Sequence, residues 1–175
     1  MTIESLAARV LRVLSIALFV VALFMCYTNL PDTVAVHFAP DGSPDGYLGR
    51  ESVFYATGGL MLGFNVLLLV LARSIANLPD RAVGVLGTAP WQPYPDALRG
   101  ALRNWLFLGM AALNVFLTLC LNALSELNDS TGTETVFNYR WLLPLGAALL
   151  LGWLLYLPVR LGLTKPSGRE KQLTE

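Results

Sequence analysis

The 175-residue chain is 55% apolar and only 14% charged, with twelve Lys/Arg balancing twelve Asp/Glu. Such a composition excludes a disordered chain, departs from an ordinary soluble domain of about 25% charged residues, and leaves no basic surplus for nucleic-acid phosphates. Two cysteines and one histidine are too few for a disulfide framework or a zinc centre, and no metal and no cofactor is expected.

A helix crossing a bilayer core needs about 20 mainly apolar residues. The first such segment covers about 10–30. Arg9 and Arg12 at its start resemble the basic region of a signal peptide. The apolar stretch is longer than a signal peptide's, however, and no A-x-A site follows, so it reads as a retained membrane helix.

The loop at 31–52 is the most informative stretch. Val34, Val36 and Phe38 alternate with Ala35 and His37, which predicts a short strand. Pro40-Asp41-Gly42 and Pro44-Asp45-Gly46 then predict two turns, because proline presets φ, aspartate bonds its own backbone and glycine permits positive φ. Pro31, Asp32, Gly42, Pro44 and Gly46 are read as the loop's structural residues. His37, Phe38, Asp41, Asp45 and Tyr47 are read as candidate partner contacts. Asp41-x-Ser43-x-Asp45-Gly46 overlaps the start of an EF-hand loop, but Ser52 stands where the bidentate glutamate belongs, so no calcium site is assigned.

The second span covers about 53–72 and carries Gly59-x-x-x-Gly63, a small-residue pattern read as packing within the chain. Asn65 lies near its middle. The loop at 73–103 is rich in Gly, Pro and small residues and is expected to be irregular. Trp91 and Tyr94 are expected at the membrane interface, and Asp96 caps the entry to the next helix.

The third span covers about 104–124, with Asn114, Thr118 and Asn122 on one helical face. Asn65 and Asn114 fall at similar depth on antiparallel spans and are expected to pair, since an unpaired amide in hydrocarbon costs several kcal/mol. Cys26 and Cys120 are read as free thiols packed as small hydrophobes. The loop at 125–140 is polar, with Thr135-Val136-Phe137 as a short strand and Asn128-Asp129-Ser130 as an incidental glycosylation sequon. The fourth span covers about 141–161 and contains Ala148-x-x-x-Gly152. Residues 1–165 thus form one all-α four-helix membrane domain with a small outer loop containing short strands, followed by a polar tail at 166–175.

Ten of the twelve Lys/Arg fall on the side of the chain's two ends, and only Arg50 and Arg140 on the other. The positive-inside rule makes the ten-residue side, with both termini, cytoplasmic. Tyr27, Tyr47, Tyr55, Tyr139 and Trp141 then collect at the outer boundary.

The stretch Leu30-Pro31-Asp32…Val36-His37-Phe38…Asp41-Gly42-x-Pro44-Asp45-Gly46-Tyr47 resembles the signature of an uncharacterised bacterial membrane domain that also opens the SdpI-type toxin-immunity proteins. Asn77-Leu78-Pro79 resembles a further element of its short members. This chain departs from the pattern at Gly49-Arg50 and at 80–84, and lacks the additional membrane helices of the SdpI type. The resemblance implies the fold and a bacterial inner membrane, and points to toxin immunity or signal sensing.

No nucleophile–base pair, phosphate loop or carboxylate dyad is visible, so an enzyme is not expected. The leading expectation is a membrane protein that binds a protein partner, such as a toxin or regulator, through the outer loop. The alternative is an accessory subunit of a larger membrane complex, such as an energy-converting assembly. The oligomeric state stays open.

Overall fold

The computed structural model describes residues 2–129, 135–164 and 166. In chain order it has α1 (Ile3–Asn29), β1 (Thr33–Phe38), β2 (Pro44–Gly49), α2 (Arg50–Asn77), the short α3 (Asp80–Val85), α4 (Pro95–Leu127), a 3-10 turn (Val136–Tyr139) and α5 (Leu142–Leu163). The four long helices are each long and apolar enough to cross a membrane. The polar tail from 167 onward lies outside the described residues.

Most helices outrun the apolar spans, because hydropathy marks only the bilayer-length part of a helix whose hydrogen bonding continues through polar turns. Thr2 caps α1, its Oγ1 accepting from Ser5 N at 3.2 Å. The helix α4 starts well before its apolar run, with Pro95 at its first position, where a missing N–H costs nothing. Asp96 therefore lies inside the first turn rather than capping it, and its carboxylate accepts from Arg99 at 2.8 Å. The 73–103 segment is more ordered than expected: α3 forms, and Trp91 is fully buried within the chain.

Central in the bundle, α4 packs on α1, α2 and α5. A polar node joins three helices at mid-depth. Asn65 Nδ2 donates to Asn114 Oδ1 at 2.8 Å, and Asn114 Nδ2 donates to Ser15 Oγ at 3.3 Å. All three side chains are buried. Thr118 Oγ1 donates to Asn114 O on its own helix at 2.8 Å, while Asn122 points outward. The shared face thus ends one turn short of its expected length.

The helix α5 docks through Trp153. Its Nε1 donates to Trp105 O at 2.9 Å, Trp105 Nε1 returns the bond to Trp153 O at 2.7 Å, and the rings stack 4.9 Å apart. Gly109 makes room, since a Cβ there would lie 2.5 Å from the Trp153 ring. Gly146 does the same for Phe116, at 2.7 Å. By contrast, a Cβ at Gly59, Gly63 or Gly152 would meet nothing within 4 Å among the described residues, and these glycines, with Ala148, lie on the outer surface. The expectation that these small-residue patterns pack within the chain is corrected. In the long helices the closest approaches are instead at Gly109 and Gly146, each facing an aromatic ring and neither part of a small-residue pair. Cys26 and Cys120 are free thiols.

At the end of the bundle away from the strands, Trp91 Nε1 donates to Thr164 O at 2.9 Å and Thr88 Oγ1 to Leu161 O at 2.6 Å. Arg160 pairs with Glu4 at 2.6 Å and lies over the Trp91 ring. These bonds tie the α3–α4 connection to the end of α5.

Candidate functional site

The loop at 31–52 folds as an antiparallel hairpin of β1 and β2. The Thr33–Gly49, Val34–Leu48 and Ala35–Tyr47 pairs are regular, and the register then shifts around His37. Val36 takes no partner there and lies exposed, whereas Val34 is fully buried and Phe38 partly buried. A bulge bends the strand and re-aims the side chains that follow.

Only the first Pro-Asp-Gly is a turn. Gly42 N donates to Ala39 O at 2.9 Å, and Ala39 N to Ser43 O at 2.8 Å. Gly42 has φ +89, a left-handed conformation that side chains resist, and its α-carbon faces the Phe137 ring. The Asp41 carboxylate accepts from Ser43 N at 2.9 Å and from Ser43 Oγ at 2.7 Å. These donors favour the ionised form and hold the Asp41 carboxyl below its ordinary range. The second triplet, Pro44-Asp45-Gly46, is corrected from a turn to the start of β2. Gly46 is required there by proximity, because a Cβ would lie 2.8 Å from His37 Cβ across the ladder.

The hairpin is held at its edge and its ends by residues that the sequence did not single out for this role. Arg50 Nη2 donates to Asp32 Oδ1 at 2.9 Å, Arg50 Nη1 to Leu30 O at 3.1 Å, and the guanidinium lies 5.0 Å over the Tyr27 ring. One side chain thus ties the entry of β1 to the exit of β2. Asn128, just past the end of α4, pairs with β1 as a strand neighbour does. Its Oδ1 accepts from Ala35 N at 2.8 Å and its Nδ2 donates to Ala35 O at 3.1 Å. In place of the short strand expected at Thr135-Val136-Phe137 stands the 3-10 turn Val136–Tyr139, whose Phe137 covers Gly42. Ser130 of the sequon lies outside the described residues.

The polar candidates of the hairpin are exposed. His37 Nδ1 donates to the Asp45 carboxylate, joining two expected contact residues across the ladder, and both are substantially exposed at 73% and 48%. Tyr47 is 54% exposed, its hydroxyl donating to Pro44 O at 3.2 Å. Leu48 is also exposed. Asp41 sits apart, engaged by Ser43 within the turn, and Pro31 precedes β1 at the surface. Among the described residues no group of three or more His, Cys, Asp or Glu is placed to hold a metal ion.

No curated protein and no solved structure matches the chain. Residues 13–61, running from within α1 through the hairpin into α2, match a family described as a domain of unknown function, DUF1648.

Proposed function

We propose that the chain is a non-enzymatic, multi-pass protein of the bacterial cytoplasmic membrane that binds a protein partner through this hairpin. The observation that carries the reading is the hairpin's asymmetry. Arg50, Asn128 and Phe137 hold its backbone, while the His37–Asp45 pair, Tyr47 and Leu48 are left exposed. A surface ordered in advance loses little conformational entropy when a partner docks. The arginine and lysine asymmetry of the sequence supports an orientation with both ends cytoplasmic and the hairpin outside.

The motif's resemblance to SdpI-type proteins directs the reading to toxin immunity or signal sensing, and the match over 13–61 covers the motif without adding an activity. Affinity capture of the full chain in mild detergent, with mass spectrometry of what co-purifies, tests the proposal. His37→Ala and Tyr47→Ala should lower partner recovery while leaving thermal stability near wild type. Full recovery with both variants moves the binding surface elsewhere.

A second reading, an accessory subunit of a larger membrane complex, is favoured by α5, of which only Leu161 is buried within the chain. A stoichiometric assembly whose recovery ignores the hairpin variants supports that reading instead.

A further inference from the structure

At the end of the bundle opposite the hairpin, α1, α2 and α4 line an open cavity of about 420 Å³. Ligand sites commonly fall in the range of about 300–1,000 Å³. Three arginines line it, Arg9 from α1 and Arg99 and Arg103 from α4, against one carboxylate, Asp96. The pairing is uneven. Arg99 is already paired: its two Nη groups donate to Asp96 at 2.8 Å, to Asp80 at 2.6 Å and to Leu78 O at 2.7 Å. Asp96 is thereby taken as well.

Arg9 and Arg103 form no ion pair among the described residues, although each lies within electrostatic reach of the other. Like charges placed together without a counterion repel, and partial burial strengthens the repulsion by removing water's screening. Arg103 Nε is also buried without a hydrogen-bond partner among the described residues, as is Arg99 Nε at the same cavity. Buried polar groups left this way generally signal a missing partner. Thr2 adds a hydroxyl whose oxygen accepts from Ser5 N, leaving its proton available to donate into the cavity.

We propose that this cavity binds a phosphate-bearing anion, with Arg9 and Arg103 sharing the phosphate oxygens. Guanidinium groups suit this role because their planar donors match phosphate geometry in pairs. The position fits a phospholipid headgroup as the source. Arg9 and Arg103 stand where the apolar runs of α1 and α4 begin, the level at which headgroups meet a membrane helix, and Ala72 and Ala76 of α2 line the same cavity beside them. A soluble phosphate ester presents the same chemistry. The proposal does not depend on what the hairpin binds.

Thermal unfolding of the purified full chain in a non-ionic detergent tests it, at fixed ionic strength. Three additives are titrated: short-chain phosphatidylglycerol, short-chain phosphatidylcholine and inorganic phosphate. Phosphatidylglycerol should raise the midpoint more than phosphatidylcholine, since only it carries net negative charge. Arg9→Gln and Arg103→Gln should each weaken the apparent affinity by about tenfold, the scale of one lost charge-assisted contact. Arg73→Gln, which removes an exposed charge from the same end of α2, should leave it unchanged. Arg9 is exposed, so its variant keeps the test valid if Arg103→Gln fails to fold. Stabilisation by inorganic phosphate that requires Arg9 and Arg103 supports the site with a soluble source. Stabilisation by phosphatidylglycerol alone supports it with a lipid source. Stabilisation by either anion that survives both variants, or that Arg73→Gln lowers equally, overturns the proposal, as does the absence of any anion effect.

Discussion

Asn128 holds Ala35 by both of its backbone groups, accepting from the N–H at 2.8 Å and donating to the carbonyl at 3.1 Å. A primary amide reproduces the donor and acceptor of a peptide unit, so one side chain does what an added strand would do at a sheet edge. The end of α4 is thereby latched to the hairpin. Asn128→Ala should leave both groups of the buried Ala35 without this partner and cost about 1–3 kcal/mol. Hydrogen exchange should show faster exchange at the Ala35 amide, while amides in the middle of α4 stay protected. Unchanged protection at Ala35 would show that the latch contributes nothing.

The Ser15–Asn65–Asn114 node should be cooperative, because Asn114 contacts both partners. Asn65→Leu and Asn114→Leu should each destabilise the bundle by about 0.5–2 kcal/mol, the scale of interhelical polar contacts in membranes. In a double-mutant cycle the losses should fall short of additivity. Strict additivity would mean that the two amides do not interact.

Glycines should separate by what faces them rather than by spacing. Gly109→Ala pushes a methyl into the Trp153 ring at 2.5 Å, and Gly42→Ala places one in a left-handed conformation against Phe137. Overpacking typically costs about 1–3 kcal/mol. Gly59→Ala and Gly63→Ala meet nothing within the chain and should be neutral or slightly stabilising, since alanine favours a helix by about 1 kcal/mol over glycine. Denaturation midpoints of the four variants check the ranking. A loss at Gly59 or Gly63 as large as that at Gly109 would reveal a contact outside this chain.

Strong acid should loosen the hairpin turn, below the pH at which an ordinary aspartate titrates. The Ser43 hydroxyl and N–H lower the Asp41 pKa in the folded state below its unfolded value. The folded form therefore binds the proton less well, and the contribution is present above the unfolded aspartate value, near about 3.9. It is lost as pH falls through the folded pKa. Carboxyl-carbon NMR should find Asp41 titrating below an ordinary aspartate. Ser43→Ala should move it upward. An unchanged titration in the variant would remove Ser43 as the cause.

Orientation has a direct check. In a background without Cys26 and Cys120, a cysteine replacing Ser43 at the hairpin turn should react with an impermeant thiol reagent in intact cells. One replacing the exposed Val85 of α3, at the other end of the bundle, should react only after permeabilisation. The reverse pattern would invert the proposed topology.

The four long helices were legible from hydropathy because a bilayer-length apolar run has few other uses, and so was the strand character of 33–38. Equal depth brought Asn65 to Asn114, since antiparallel spans of equal length align their midpoints. Depth did not single out Ser15, whose small hydroxyl is an ordinary feature of an apolar helix. The Gly59-x-x-x-Gly63 spacing says that a backbone can be approached closely, and says nothing of which side a neighbour occupies. Only the packed bundle put that face outward and placed Gly109 under Trp153. The Pro-Asp-Gly triplets are chemically alike in the sequence. Pairing with β1 decided that one turns and the other extends, because His37 lies opposite Gly46 and Phe38 opposite Pro44 in the ladder. Asn128, Arg50 and the cavity arginines act on residues distant along the chain or on no residue of it. Local pattern records propensity and periodicity, whereas these contacts exist only once the helices have set the distances between their ends.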